Sequence, residues 1–258
     1  MTLPGRRPRV IAHRGASGYA PELTRAAFHL ALEFGVDAIE LDVRMSRDGE
    51  IVVIHDRLLN RTTDGQGPVQ EMTSAQLKEL DAGSWFNRAF PSRARPEYAR
   101  QELLFLGDVF DLVDREAVIL FVEIKDPEVY PPDLEARILS IVRRKGFAGR
   151  VALLSFDAGS LAKVKELAAD VRTVLLVNDL RSDPVETALA VGADEIAIRF
   201  TLLSDGLSGR IRAAGRLLSV WTVDDEQDLR RMIDAGVDGI TSNYPDRVMR
   251  IMNGTRGL

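Results

Sequence analysis

From residue 107 to residue 252, short apolar runs alternate with segments of helical spacing, and this alternation constrains the fold more than any other feature. The predicted strands lie at 118–125, 150–154, 171–177, 194–198, 216–221 and 237–241. The predicted helices lie at 107–113, 133–145, 159–168, 184–190, 205–214, 225–235 and 245–252. Strands that alternate with helices predict a parallel sheet.

The first 55 residues predict two more strands of the same sheet, at 10–12 and 37–43. A helix at 24–34 separates them and ends at Gly35. A further apolar run at 51–54 follows an Asp48-Gly49 turn, so we interpret it as a hairpin extension of the second strand. Eight strand–helix units in 258 residues predict a (β/α)8 TIM barrel. A doubly wound open sheet is the structural alternative.

Residues 56–106 interrupt the alternation. This stretch is too long for an ordinary connection, so we predict a small inserted subdomain after the second strand, with a capped short helix after Thr73. The rest of the chain is predicted to form one barrel domain, so that residues 1–258 make a single TIM-barrel domain around the insertion.

Polar side chains gather at the predicted carboxyl ends of the first strands, where a barrel places its active site. Glu40 and Asp42 are two residues apart, so they project from the same face of the second strand. The other polar residues at predicted strand ends include His13, Arg14, His55, Glu123 and Lys125, with Trp221 further along the chain.

This set of residue types points to phosphoester cleavage. Three carboxylates (Glu40, Asp42, Glu123) would repel one another unless a cation intervenes, and all-oxygen ligands suit Mg²⁺ or Ca²⁺. Arg14 and Lys125 supply fixed positive charge for phosphoryl oxygens. Two histidines can serve as general base and general acid.

Composition limits the possible partners, the possible chemistry and the expected location of the protein. The formal net charge of −5 argues against nucleic acid as the main partner, and the absence of cysteine excludes thiol chemistry. No apolar run is long enough for a transmembrane helix, so no membrane span is expected and a cytoplasmic location is the default. The sequence leaves the oligomeric state open.

The chain also resembles the glycerophosphodiester phosphodiesterase family from about residue 10 to residue 250. The similar segments are HRGASGYAPE, IELDV, VVIHD, RTTDGQG, LDAGSWF, VEIK, LLSFD, VWTVDD and DGITSNYPD. The resemblance implies a TIM barrel with an insertion after strand two. It also implies hydrolysis of glycerophosphodiesters to sn-glycerol 3-phosphate and an alcohol, with a divalent cation, Mg²⁺ or Ca²⁺.

The resemblance assigns a role to each matched residue. His13 and His55 would be the catalytic acid and base, and Glu40, Asp42 and Glu123 would ligate the cation. Arg14 and Lys125 would contact the phosphate, Glu22 is a candidate substrate contact, and Trp221 would line the pocket. The resemblance leaves open which histidine first acts as the base.

Two positions depart from the family pattern. Leu23 stands where the family commonly has Asn, and Asp224 stands where it often has Asn. These changes bear on substrate choice more than on the reaction. Two other functions are considered: lysophospholipase D-type cleavage of lysolipids, and an inactive barrel that binds phosphodiesters.

Overall fold

The computed structural model describes residues 7–254, and within that range nine strands form one closed sheet. They are β1 (Arg9–His13), β2 (Ala38–Met45), β3 (Ile51–Val53), β4 (Ile119–Ile124), β5 (Val151–Ser155), β6 (Arg172–Val177), β7 (Glu195–Arg199), β8 (Leu217–Trp221) and β9 (Gly239–Ser242). Strand β1 pairs in parallel with both β2 and β9, which closes an eight-stranded ring. Strand β3 pairs antiparallel with β2 outside the ring. The predicted TIM barrel and its hairpin extension are confirmed.

Ten α-helices lie in the described range. They are α1 (Arg25–Phe34), α2 (Ser74–Lys78), α3 (Ser84–Ala89), α4 (Leu106–Leu112), α5 (Leu134–Arg144), α6 (Ala158–Leu167), α7 (Pro184–Ala190), α8 (Asp205–Ala213), α9 (Glu226–Asp234) and α10 (Pro245–Met252). Every predicted strand and helix is present within about two residues of its expected bounds. Helix α3 was not predicted, because it is short and its N-terminus carries no side-chain cap.

The capping residues at the helix ends explain why the helix bounds could be predicted from the sequence. The Thr24 side chain accepts a hydrogen bond from the backbone N–H of Ala27, and Gly35 ends α1 in a left-handed conformation with φ 73°. Helix α2 begins with a reciprocal capping box between Thr73 and Gln76. These local signals are independent of tertiary packing, which explains why they could be recognised in the sequence alone.

The barrel core has two layers. The larger layer lies between the outer faces of the strands and the surrounding helices. The smaller layer fills the inside of the barrel with the side chains of Ile11, Ala38, Phe121, Ala152, Leu154, Val174, Leu176 and Ala197. All eight positions of β2 are buried, although three of them carry the charged residues Glu40, Asp42 and Arg44. This strand therefore places charge inside the barrel.

The segment between β3 and β4 packs against the hairpin and against the first strand–helix connection. One apolar cluster joins it to the hairpin, with Leu59 and Leu77 against Val52. A second joins Phe86 and Tyr98 to the first strand–helix connection. The description of 56–106 as a subdomain within a single domain stays a prediction. In the part of the chain that the structure describes, no helix has both the length and the apolar composition needed to cross a bilayer.

The docking of this segment predicts a steric effect at Gly83. A Cβ atom at Gly83 would lie 1.9 Å from the carbonyl oxygen of Tyr98, so the backbone of the segment has to move. We expect Gly83→Ala to lower the free energy of unfolding by about 1–3 kcal/mol, measured by urea denaturation. Gly107→Ala in α4 is the control, because its Cβ would meet only Lys145 Cε at 3.9 Å. Equal stability of the two variants would contradict the described packing.

Candidate active site

Three carboxylates meet inside the barrel at the carboxyl ends of β2 and β4. Glu40 and Asp42 point inward from β2, and the parallel register places Glu123 of β4 opposite Asp42. All three side chains are buried, and one oxygen from each lies within 4.8 Å of the others. The strand register therefore assembles the cluster that the spacing of Glu40 and Asp42 indicated.

Two cations offset this negative charge. The backbone N–H of Arg14 donates to Glu40 at 3.0 Å, and its guanidinium Nε lies 3.2 Å from Asp42 Oδ2. The Lys125 ammonium lies 3.0 Å from Asp42 Oδ1 and 2.6 Å from Glu123 Oε1. Within residues 7–254, these contacts of Asp42 and of Glu123 Oε1 are ion pairs rather than regular hydrogen bonds. Three formal negative charges thus face two positive ones.

The carboxylates differ in proton affinity. Burial raises the pKa of Glu40 well above its usual range, and the charges of Asp42 and Glu123 add to the effect. Burial and the nearby Asp42 raise the pKa of Glu123 to about 7. Burial also opposes the Asp42 anion, but Lys125 and Arg14 outweigh it and lower the pKa of Asp42 to about 2. Without a further cation, the cluster holds protons near neutral pH.

The two histidines lie beside this cluster and are held by different partners. His13 ends β1, with Nε2 3.9 Å from Glu40 and Nδ1 2.7 Å from Asn243 Oδ1. Burial and then the charge of Arg14 lower the pKa of His13 to about 4. His55 follows β3, with Nδ1 2.6 Å from Asp56. Burial also lowers the pKa of His55. Both rings are therefore favoured in the neutral form when no cation or substrate is bound.

A chain of ion pairs connects His55 to Arg14. Asp56 contacts His55 and accepts from Arg61 Nε at 2.6 Å. Arg61 also donates to both carboxylate oxygens of Glu22 at 2.8 Å, and Glu22 accepts from Arg14 at 2.9 Å. Arg61 belongs to the segment between β3 and β4, so this segment supports groups on both sides of the site.

A cavity of about 170 Å³ opens beside the carboxylates and has a mixed lining. Its charged and imidazole groups come from His13, Arg14, Glu40, His55, Glu123 and Lys125. Its large apolar side chains are Phe121, Leu154, Phe156, Leu176 and Trp221. The Trp221 indole donates to the carbonyl of Ala197 at 2.9 Å, and its ring meets Phe156 edge to face. A larger hollow of about 620 Å³ on the side of the barrel contains none of the predicted site residues.

The structure brings the predicted site residues together. Eight of the nine surround the carboxylate cluster or line the cavity, and Glu22 contacts Arg14 beside it. Asn243, Asp56 and Arg61 were not among the residues predicted to form the site. The side chains of these three residues instead support the site. Their positions after β9 and β3 were a signal. Asn243, however, meets His13 only when the barrel closes, and Arg61 meets Glu22 only when the segment after β3 packs on the barrel.

The structure also shows the surroundings of Leu23 and Asp224, the two residues that depart from the family pattern. Leu23 adopts φ 60°, a left-handed conformation that leucine seldom takes and asparagine tolerates better. Its buried side chain packs into the core, and its backbone N–H donates to the carbonyl of Arg14. Asp224 accepts hydrogen bonds from Ser242 and from both the backbone and the side chain of Asn243. Each departure thus lies next to residues that hold His13 or Arg14.

Two histidines, two cations and three carboxylates surround one cavity at the carboxyl ends of the barrel strands, a combination typical of a phosphoesterase. The sequence matches the model of the Glycerophosphoryl diester phosphodiesterase family over residues 13–247. The chain therefore belongs to the glycerophosphodiester phosphodiesterase family, and the prediction of an enzyme of this family is confirmed.

Relatives in sequence and in structure agree with this assignment. A glycerophosphodiester phosphodiesterase of Bacillus subtilis is 37% identical, with 95% of this chain and 86% of the relative covered. The crystal structure of a glycerophosphodiester phosphodiesterase from Agrobacterium tumefaciens matches with a TM-score of 0.80 and 31% identity, covering 93% of this chain and 98% of the other. A phosphodiesterase of Oleispira antarctica, solved with the product sn-glycerol-3-phosphate, matches with a TM-score of 0.86 and 28% identity over 96% and 97% of the two chains.

The ion-pair chain predicts that Arg61 supports catalysis without lining the cavity. We expect Arg61→Ala to lower kcat about tenfold, because Asp56 and Glu22 lose the guanidinium that fixes them against His55 and Arg14. The measurement is steady-state hydrolysis of a glycerophosphodiester. Arg57→Ala is the control, since Arg57 is an exposed arginine of the same segment. Unchanged kcat in the Arg61 variant would rule out this supporting role.

Proposed function

We propose that the enzyme hydrolyses glycerophosphodiesters to sn-glycerol 3-phosphate and an alcohol, with His13 and His55 as the acid–base pair and a divalent cation as cofactor. The observation that carries this proposal is the placement of both imidazoles beside three buried carboxylates in one cavity. The Oleispira relative solved with sn-glycerol-3-phosphate supports the choice of product.

The carboxylate cluster fits a hard divalent cation. Glu40, Asp42 and Glu123 would hold it, because oxygen ligands are those that Mg²⁺ and Ca²⁺ prefer. Both oxygens of Asp42 and one of Glu123 are buried and, in the described range, make ion pairs but no regular hydrogen bond, as suits the ligand atoms of a metal. When bound, the cation would supply positive charge to the phosphoryl oxygens of the substrate.

The proposed reaction uses the substrate's own glycerol hydroxyl. One histidine removes its proton and the oxygen attacks phosphorus, while the other histidine protonates the departing alcohol. Water then opens the cyclic phosphate with the two proton transfers reversed. Arg14 and Lys125 would hold phosphoryl oxygens, and Glu22 would keep Arg14 in place. Intramolecular attack mainly requires positioning, which these groups provide.

The cavity suits a small substrate with one polar and one apolar side. Trp221 and Phe156 would pack against its carbon atoms, and the charged lining residues would contact its phosphate. The net charge of −5 argues against nucleic acid as a partner. The expected cytoplasmic location stays a prediction, and fractionation of the native cells would test it.

A second candidate substrate class is lysolipids. Phe156 at the cavity mouth is 42% exposed, and with Trp221 it offers an apolar path for an acyl chain. To distinguish glycerophosphodiesters from lysolipids as substrates, the purified protein is incubated with glycerophosphocholine, glycerophosphoethanolamine and lysophosphatidylcholine, each with Mg²⁺ and with Ca²⁺. Release of glycerol 3-phosphate supports the first class, and release of choline from the lysolipid supports the second. No release from any substrate would favour a binding protein.

The proposed roles predict that histidine and carboxylate variants fail in different ways. His13→Ala is expected to lower kcat by about 10²–10⁴ because a proton-transfer group is lost, while Mg²⁺ binding by calorimetry persists. Glu40→Ala is expected to weaken Mg²⁺ binding itself, because it removes a ligand oxygen. Equal cation affinity in the Glu40 variant and the wild type would contradict its role as a ligand.

The raised pKa values of Glu40 and Glu123 predict that cation binding competes with protons. In the cation-free protein, the protonated Glu123 stabilises the fold fully below the unfolded-state pKa of about 4.3. This stabilisation is lost as the pH rises through its folded pKa of about 7. We therefore expect the gain in Tm on adding Mg²⁺ to be larger at pH 8 than at pH 5.5.

Differential scanning calorimetry with Mg²⁺ and with EDTA at the two pH values provides the measurement. Glu123→Gln is the matched variant, because it keeps the side-chain volume but removes both the titrating group and a proposed ligand oxygen, so its gain in Tm is expected to be small at both pH values. A gain in Tm that is independent of pH in the wild type would show that protons and cation do not share this cluster.

A further inference from the structure

Asn243 lies between the catalytic His13 and a carboxylate outside the cavity. Its side-chain oxygen Oδ1 is 2.7 Å from His13 Nδ1, and its side-chain nitrogen Nδ2 is 2.6 Å from Asp224 Oδ2. The backbone N–H of Asn243 and the Ser242 hydroxyl both donate to Asp224 Oδ1. The carboxylate thus receives three donors and is fixed against the loop that follows β9.

These contacts allow one arrangement of protons. A carboxylate accepts hydrogen bonds and does not donate them, so the Asn243 amide must turn its NH₂ toward Asp224. The carbonyl oxygen of the same amide then faces His13, and an oxygen acceptor requires an N–H on Nδ1. In neutral His13 the lone pair is consequently on Nε2, the nitrogen 3.9 Å from Glu40.

We propose that Asp224 is a positioning residue that sets the tautomer of His13 through Asn243, so that Nε2 is the nitrogen that exchanges protons with the substrate. This inference rests on the proposed role of His13 as acid or base, and it holds for either role. Asp224 touches neither the substrate cavity nor the carboxylate cluster, so it acts only through its partner. We call the path from Asp224 through Asn243 to His13 the relay. His55 needs no relay, because Asp56 contacts its Nδ1 directly.

The acidic form of residue 224 is essential to the relay. In Asp224→Asn the new amide has only one acceptor, its carbonyl oxygen. This oxygen would occupy the Oδ1 position, because the backbone N–H of Asn243 and the Ser242 hydroxyl both donate to that position. The NH₂ of the new amide would then face the NH₂ of Asn243, which must turn over to present its oxygen. The turned amide would point a donor at His13 Nδ1 and favour the opposite tautomer.

Ser17 permits this turn. Its hydroxyl lies 2.7 Å from both Asn243 Oδ1 and the carbonyl oxygen of His13. A single hydroxyl proton can bond only one of these oxygens at a time, so Ser17 can donate to His13 and accept from a turned Asn243 amide. Nothing else among the named contacts holds the Asn243 amide against the exchange of its two ends.

The tautomer can be read directly by NMR. Long-range ¹H–¹⁵N spectra of histidine-labelled protein at pH 7.5, without cation and with Mg²⁺, distinguish protonation at Nδ1 from protonation at Nε2. The His13 signals are assigned by their loss in His13→Gln. We expect the N–H on Nδ1 in the wild type and a shift toward Nε2 in Asp224→Asn. A wild-type N–H on Nε2, or an unaltered pattern in the variant, would overturn the inference.

Kinetics give the second measurement. Asp224→Asn is expected to lower kcat about 10–100-fold, the range for partners that orient a functional histidine, with KM changed less than about twofold. The matched control is Asp225→Asn. Asp225 is the neighbouring acid, which caps α9 and is not part of the relay. An equal loss of kcat in both variants would show a general effect on the loop and contradict the relay.

Exchanging the residues at positions 224 and 243 is expected to restore the His13 tautomer. In Asp224→Asn/Asn243→Asp, the amide at 224 donates to the carboxylate at 243, whose other oxygen accepts from His13 Nδ1. We expect this double variant to regain the wild-type tautomer and most of kcat, and failure to regain the tautomer would contradict the proposal.

If the wild type shows the Nδ1 tautomer but hydrolyses no glycerophosphodiester, the proposed function fails while the relay stands. Because the wild-type spectrum decides the tautomer, misfolding of a variant leaves the test intact.

Discussion

The burial of three carboxylates side by side is the constraint on which the rest of this structure depends. Charges removed from water destabilise a fold unless they are paired or protonated. Here Arg14 and Lys125 supply two positive charges, and the raised pKa values of Glu40 and Glu123 show that these are not sufficient. The electrostatic balance of the cluster therefore depends on protons, and the proposed cation would take their place.

This constraint explains the unusual backbone at the end of β1. Arg14 adopts φ 56°, a conformation that costs a non-glycine residue about 1 kcal/mol or more. The conformation allows the backbone N–H of Arg14 to reach Glu40 while its guanidinium reaches Asp42. Gly15 follows with φ 78°, and a Cβ there would come within 2.8 Å of Ala27. The strained backbone of Arg14, followed by a glycine that adopts positive φ without strain, thus permits one residue to contact two carboxylates.

The sequence was sufficient for the barrel and for the central groups of the site. Strands and helices were recognisable from apolar runs and helix caps, and parallel strands bring their carboxyl ends to one rim. Glu40 and Asp42 could be placed together because a strand has a period of two residues. The partners of the histidines could not be placed, since Asn243 reaches His13 only through the pairing of β1 with β9. Arg61 was equally hidden, because its role depends on how the segment after β3 packs against Glu22.

The pairing of β1 with β9 has a consequence for folding. His13 and Asn243 are 230 residues apart in the chain, so their hydrogen bond forms only when the ring of strands has closed. Contacts of such long sequence separation are slow to form, because the loop entropy is lost before the contact is made. A partly folded chain with the first strands in place would hold both histidines and all three carboxylates, yet His13 would lack its orienting partner. During refolding, catalytic activity should therefore return together with barrel closure, later than secondary structure.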